Sequence, residues 1–156
     1  MILPDVNVLV YAHRRDARDH ERYLEWLVAE VNSDAAFGLS PLVLSGFIRV
    51  VTHPRVFKVP STLSDATRFA EQLRARPNCI EVTPGARHWS IFVRLCRQAA
   101  AKGNLVPDAY FAAMAIETGC EWVTTDRDFS RFEGLKWRHP LGSRPAKRRP
   151  YPPTFP

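Results

Sequence analysis

No apolar run in this chain approaches the ~20 residues that a bilayer-crossing helix needs, so a membrane span is not expected. A basic, then apolar, then small-residue leader is also missing, which argues against a secreted precursor. Cysteine is scarce. Cys79, Cys96 and Cys120 lie far apart and none belongs to a C-x-x-C pair, so neither a zinc site nor a thioredoxin-like motif is indicated. Reduced thiols in a cytoplasmic protein fit that usage. His13, His20, His53, His88 and His139 show no ligand spacing such as H-x-x-x-H, and no internal repeat is visible.

What is present is the composition of an ordinary globular chain, 46% hydrophobic and 24% charged over 156 residues. That length supports one domain with a proper core. The net charge of +6 is unevenly placed. From Arg138 onward there are five cations (Arg138, Arg144, Lys147, Arg148, Arg149) and no acid, so the first 137 residues carry only +1. The last stretch, 142–156, is basic and proline-rich and reads as a disordered tail after a domain spanning 1–141. Two roles stand for it: electrostatic contact with nucleic acid, or an inert extension.

Strands and helices alternate. Residues 2–4 read as a strand ending at Asp5, and 6–13 as a helix. The spacing predicts a helix over roughly 18–32, with Tyr23, Leu24, Leu27, Val28 and Val31 inward and Glu21, Glu25 and Glu30 elsewhere. Residues 35–39 suit a strand. Ser40-Pro41 opens a helix that stops before Pro54. Ser64-Asp65 begins another, and 79–82 is a strand. Helix 86–101 has Trp89, Phe92, Val93 and Cys96 as its apolar stripe. Trp26, Trp89 and Phe92 are expected in the core, and Arg14 and Arg15 in solvent. Pro107 restarts a helix that Gly119 ends, and 121–125 is a strand. A last apolar segment lies near Leu135–Trp137. Such alternation predicts an α/β domain with a mainly parallel sheet of four to five strands between helical layers.

In parallel sheets ligands bind beyond the carboxyl ends of the strands. Asp5 follows the first strand, Asp126 and Asp128 follow the fourth, and Asp108 sits in the first turn of a helix. These carboxylates are placed to meet at one edge. Like charges raise one another's pKa values, and a divalent cation relieves that. Hard oxygen ligands without His or Cys favour Mg²⁺ or Mn²⁺ over Zn²⁺. Each acid also has a plainer role: Asp5 or Asp108 as a helix cap, Asp126 and Asp128 as turn residues.

The stretches PDVNVLVYA, VPDAYFAAMAIETG and TTDRDF, in that order, resemble the PIN-domain ribonucleases, and among them the VapC-type toxins of toxin–antitoxin pairs. The resemblance covers about residues 1–141. It implies a PIN-like three-layer sandwich and an endoribonuclease using Mg²⁺, with Mn²⁺ able to substitute. Asp5 and Asp108 would be principal metal ligands, Asp126 would complete the site, and Asp128 would be a less certain contributor. Asn7 and Thr124 match supporting polar positions. Water would attack phosphorus in line, and the 3′ oxygen of the upstream nucleotide would leave. The resemblance also implies an RNA substrate, homodimerisation and a VapB-type antitoxin whose C-terminal segment blocks the site.

One position departs from the family. Relatives commonly read E-x-x-R where this chain reads Gly46-Phe47-Ile48-Arg49. A weakened second metal site, compensation by Asp128, and loss of catalysis in favour of RNA or antitoxin binding are the three explanations. Gly46→Glu is expected to lower the Mg²⁺ requirement if position 46 faces the metal. Arg49 suits an RNA phosphate, an antitoxin carboxylate or a helix-surface ion pair. A haloacid-dehalogenase-like phosphatase is disfavoured, because Asn7 stands where its D-x-D motif needs the second Asp.

Overall fold

The computed structural model describes residues 1–142. The basic, proline-rich tail expected over 142–156 lies, from residue 143 on, outside the described residues. Five short strands form one sheet in the order β3-β2-β1-β4-β5, and every neighbouring pair is parallel. They are β1 (Ile2–Pro4), β2 (Phe37–Leu39), β3 (Cys79–Glu81), β4 (Glu121–Val123) and β5 (Trp137–Arg138). Six α-helices occur among the described residues: α1 (Val6–His13), α2 (His20–Val31), α3 (Pro41–Val51), α4 (Leu63–Arg74), α5 (His88–Gln98) and α6 (Leu105–Thr118). No helix among the described residues is long and apolar enough to cross a membrane.

The central strands are apolar on both faces because helices cover both, as parallel sheets require. Leu3, Val123 and Trp122 are fully buried, alongside Val8, Leu9, Val43, Phe47 and Met114 from the helices. Gly38 is buried mid-strand, where a Cβ would come within 2.8 Å of a Val82 methyl. Gly119 ends α6 in the left-handed region, φ 70°, a conformation glycine adopts without steric cost. The Ser40 hydroxyl accepts from the Leu42 N–H and Pro41 takes the first helical position, as expected.

Several expectations are corrected. On α2, Leu24 and Val28 are exposed while Glu30 is buried. The reason lies far away in sequence: Arg138 of β5 bonds Glu30 at 3.2 Å and Glu121 at 2.9 Å. Arg138 therefore belongs to the folded body. Arg14 is buried too. It forms two hydrogen bonds to Asp16, donates to the Val59 carbonyl and Ser61 hydroxyl, and lies over the Phe57 ring. Trp89 is 68% exposed, because Leu95 and His88 hold the inner face of α5. Helix α4 is capped by the Thr62 hydroxyl, two residues before the expected start.

Candidate metal and phosphodiester site

The parallel register pairs Leu3 with Trp122 and Pro4 with Val123, so the chain segments leaving β1 and β4 emerge side by side. The Asp5 N–H donates to the Val123 carbonyl at 2.9 Å and extends the pairing by one residue. Asp5 and Thr124 thus meet at the carboxyl edge of the sheet. There the chain turns into α1 on one side and into a short 3-10 turn, Arg127–Arg131, on the other.

Asp5 is only 6% exposed, and three donors hold its carboxylate. The Val6 N–H reaches Oδ1 at 2.6 Å, so Asp5 does cap α1. The Asn7 amide and the Thr124 hydroxyl both donate to Oδ2, at 2.7 and 2.6 Å. A carboxylate offers about four lone-pair positions, so Oδ1 retains capacity for one more partner. Thr124 is fully buried and also accepts from the Asn7 amide and the Asp126 N–H. The Asn7 carbonyl oxygen accepts from the Thr125 N–H. Asn7 and Thr124 therefore stitch the two strand ends together around Asp5.

Asp126 accepts from the Asp128 N–H at 2.8 Å, so its turn role is real as well. Asp128 is exposed. Asp108 is half-buried in the first turn of α6. Its neighbours on the helix, Ala109, Ala112 and Ala113, are fully buried, and small side chains there let α6 pack closely.

The electrostatics link these acids. Burial pushes the Asp5 carboxyl up to about 6 from an ordinary 3.8. The Thr124 and Val6 donors oppose that rise, and the charges of Asp108 and Asp126 add to it. Asp108 is also pushed up to about 6, by burial and then by Asp126 and Asp128. Among the described residues, no Lys, Arg or His counts among the influences on either group. Two carboxylates so disfavoured, with oxygen ligands around them and no cation among the described residues offsetting them, are chemically suited to a hard dication. Among the described residues, however, no three His, Cys, Asp or Glu side chains are already closed around one point. The acids feel one another across an open edge.

Position 46 lies against the first turn of α1. A Cβ on Gly46 would lie 2.9 Å from a methyl of Val6, the residue bonded to Asp5. Val6 occupies the space that a longer side chain on α3 would need. Arg49, one turn further along α3, is exposed. Sequence reasoning missed this contact between Val6 and Gly46, since nothing in either segment names the other.

The PIN domain family model matches residues 2–135. VapC ribonuclease Mb2897 of Mycobacterium bovis is 47% identical over 141 residues, spanning 90% of this chain and 96% of that protein. Ribonuclease VapC25 of Mycobacterium tuberculosis is 39% identical over 140 residues, spanning 90% and 99%. Among solved structures, VapBC-1 from nontypeable Haemophilus influenzae matches with a TM-score of 0.63 at 18% identity, covering 91% of this chain and 100% of that one. The VapC20 toxin of Mycobacterium tuberculosis, described as cleaving the sarcin-ricin loop, matches with a TM-score of 0.59 at 16% identity, covering 87% and 99%. The family match over residues 2–135 and these identities lead to one assignment: the chain belongs to the PIN-domain family, among the VapC ribonucleases.

Proposed function

We propose that this chain is an Mg²⁺-dependent endoribonuclease, with Mn²⁺ able to substitute, acting as the toxin of a VapB-type toxin–antitoxin pair. Asp5, Asp108 and Asp126 are its metal-binding and catalytic acids, and Asp128 is an auxiliary one. The observation that carries the reading is the meeting of Asp5 and the Asp126 turn at one sheet edge through Thr124, with burial and neighbouring acids pushing both Asp5 and Asp108 up and no basic group among the described residues offsetting them. A bound dication there supplies charge stabilisation at the scissile phosphate and a more acidic water.

The chain's own residues do the positioning. Thr124 and Asn7 fix the Asp5 carboxylate through Oδ2, and Oδ1, which accepts from the Val6 N–H, keeps a lone pair for one more partner. Asp126 is presented by its turn, with its N–H tied to Thr124. Asp108 is presented by the first turn of α6. The site sits at the rim, where an unpaired RNA strand can pass. A homodimer and a cytoplasmic setting accompany this reading, as does an antitoxin segment that covers the same edge.

The test is cleavage of a total RNA sample with Mn²⁺ by the wild-type chain and by Asp5→Asn. Discrete products from the wild type alone support the nuclease. Gly46 favours one other reading, a catalytically weakened module that binds RNA or antitoxin, because α3 brings no carboxylate to the edge. Identical product patterns from the two proteins would select it.

A further inference from the structure

Beside the acids lies a groove of about 300 Å³ between α3 and α6. We propose that it is a subsite for one unpaired nucleobase of the RNA, flanking the bond to be cut. The inference rests on the nuclease reading above and adds where the substrate's base goes.

Four observations carry it. First, the groove adjoins the site: its lining residues Val6 and Pro107 are chain neighbours of Asp5 and Asp108. Second, its walls are largely apolar, formed by Val6, Pro107, Tyr110 and Phe111, with the bare backbone of Gly46 between them. The size falls at the low end for ligand pockets, ~300–1,000 Å³, and suits a flat heterocycle. Third, the aromatic walls are held from behind. Tyr110 packs against His88 at 4.2 Å and Phe92 at 5.7 Å, and Phe111 stacks on buried Trp122 at 5.4 Å. Rings fixed in this way lose little entropy when a base stacks on them. Fourth, polar groups stand where a nucleotide needs them. Ser45 lies on the lining, and Arg49 makes no hydrogen bond or ion pair among the described residues. Its guanidinium matches the phosphate attached to a seated base. An apolar peptide side chain would use the walls but leave Arg49 without its anion.

Gly46 acquires a role here that differs from a missing ligand. Any side chain there would meet Val6 at 2.9 Å and narrow the floor. The bare backbone at position 46 keeps this slot open.

The experiment uses full-length protein in EDTA and labelled RNA octamers: A8, C8, U8 and an all-abasic ribose-phosphate octamer of equal charge. Base–aromatic stacking of ~1–3 kcal/mol corresponds to about 5- to 150-fold in affinity. At least one base-bearing octamer should therefore bind the wild type at least about fivefold tighter than the abasic one. Ser45→Trp, at an exposed position that fills the groove, should reduce that ratio to near one. Leu42→Trp, exposed on the same lining, repeats the test if the first variant does not fold. Equal wild-type binding of base-bearing and abasic octamers overturns the subsite. So does a ratio that survives both substitutions, or a groove that takes an apolar peptide while the octamers ignore Ser45→Trp. Mn²⁺-dependent cleavage lost in Asp5→Asn stands or falls separately, so failure of the subsite is distinguishable from failure of the nuclease reading.

Discussion

Replacing Asp5 with Asn should abolish cleavage and stabilise the metal-free protein. Burial and neighbouring acids raise the Asp5 pKa from 3.8 to about 6. At 1.36 kcal/mol per pH unit, the ionised form costs the fold roughly 3 kcal/mol at neutral pH. Asn removes that charge but is an imperfect substitute. Its amide would face the Thr124 hydroxyl and Asn7 amide, both of which now donate to Oδ2. Losing those bonds costs about 1–2 kcal/mol. The net expectation is a gain of roughly 1–2 kcal/mol at pH 7.5. The pH dependence gives the sign. Between 3.8 and about 6 the folded wild type keeps a proton that the unfolded chain releases. Wild-type stability therefore falls as pH rises through that window and is level above it. Asn does not titrate, so its advantage should shrink as pH falls and reverse at about pH 5. Urea denaturation at pH 7.5 and pH 4 in EDTA measures both points. A variant less stable than wild type at pH 7.5, by an amount that does not change with pH, would refute the buried-charge reasoning.

Mn²⁺ must displace protons from Asp5 and Asp108, both raised to about 6. Calorimetry should find binding about 10-fold weaker or more at pH 5.5 than at pH 7.5; equal affinities would count against these ligands. Gly46→Glu should lose about 1–3 kcal/mol to overpacking against Val6. Val6→Ala/Gly46→Glu should recover that loss and bind Mn²⁺ more tightly than wild type, and thermal melts with calorimetry check both. Arg138→Met should destabilise by roughly 3 kcal/mol, since Glu30 is buried beside it. Adding Glu30→Gln should return part of the loss in a double-mutant cycle. Trp89→Ser should change stability by less than about 1 kcal/mol, because its ring is mostly in solvent.

Local chemistry made much of this fold readable. Ser40-Pro41, Gly119 and the short apolar runs mark their elements through caps, fixed φ and periodicity, and each lies where expected. The parallel sheet followed from alternation, and it set Asp5 and Thr124 side by side. What the sequence hid depends on distant partners. Glu30 looked like a surface acid until Arg138 arrived from β5, and Arg14 found its carbonyl and ring in the loop before α4. Trp89 was misplaced because an apolar stripe on α5 can be read two ways when Leu95 completes either. In the site, the acids were visible as spaced carboxylates. The Asn7–Thr124 clasp and the Val6–Gly46 contact were not, because each joins segments that carry no mark of one another.

We propose that Asp5, Asp108 and Asp126 share a dication at the carboxyl edge of the sheet. Anomalous scattering from a crystal grown with Mn²⁺ tests it most directly. The account predicts a peak within coordination distance of Asp5 and Asp108, lost in Asp5→Asn crystals. A peak elsewhere, or one that survives the substitution in place, would contradict it.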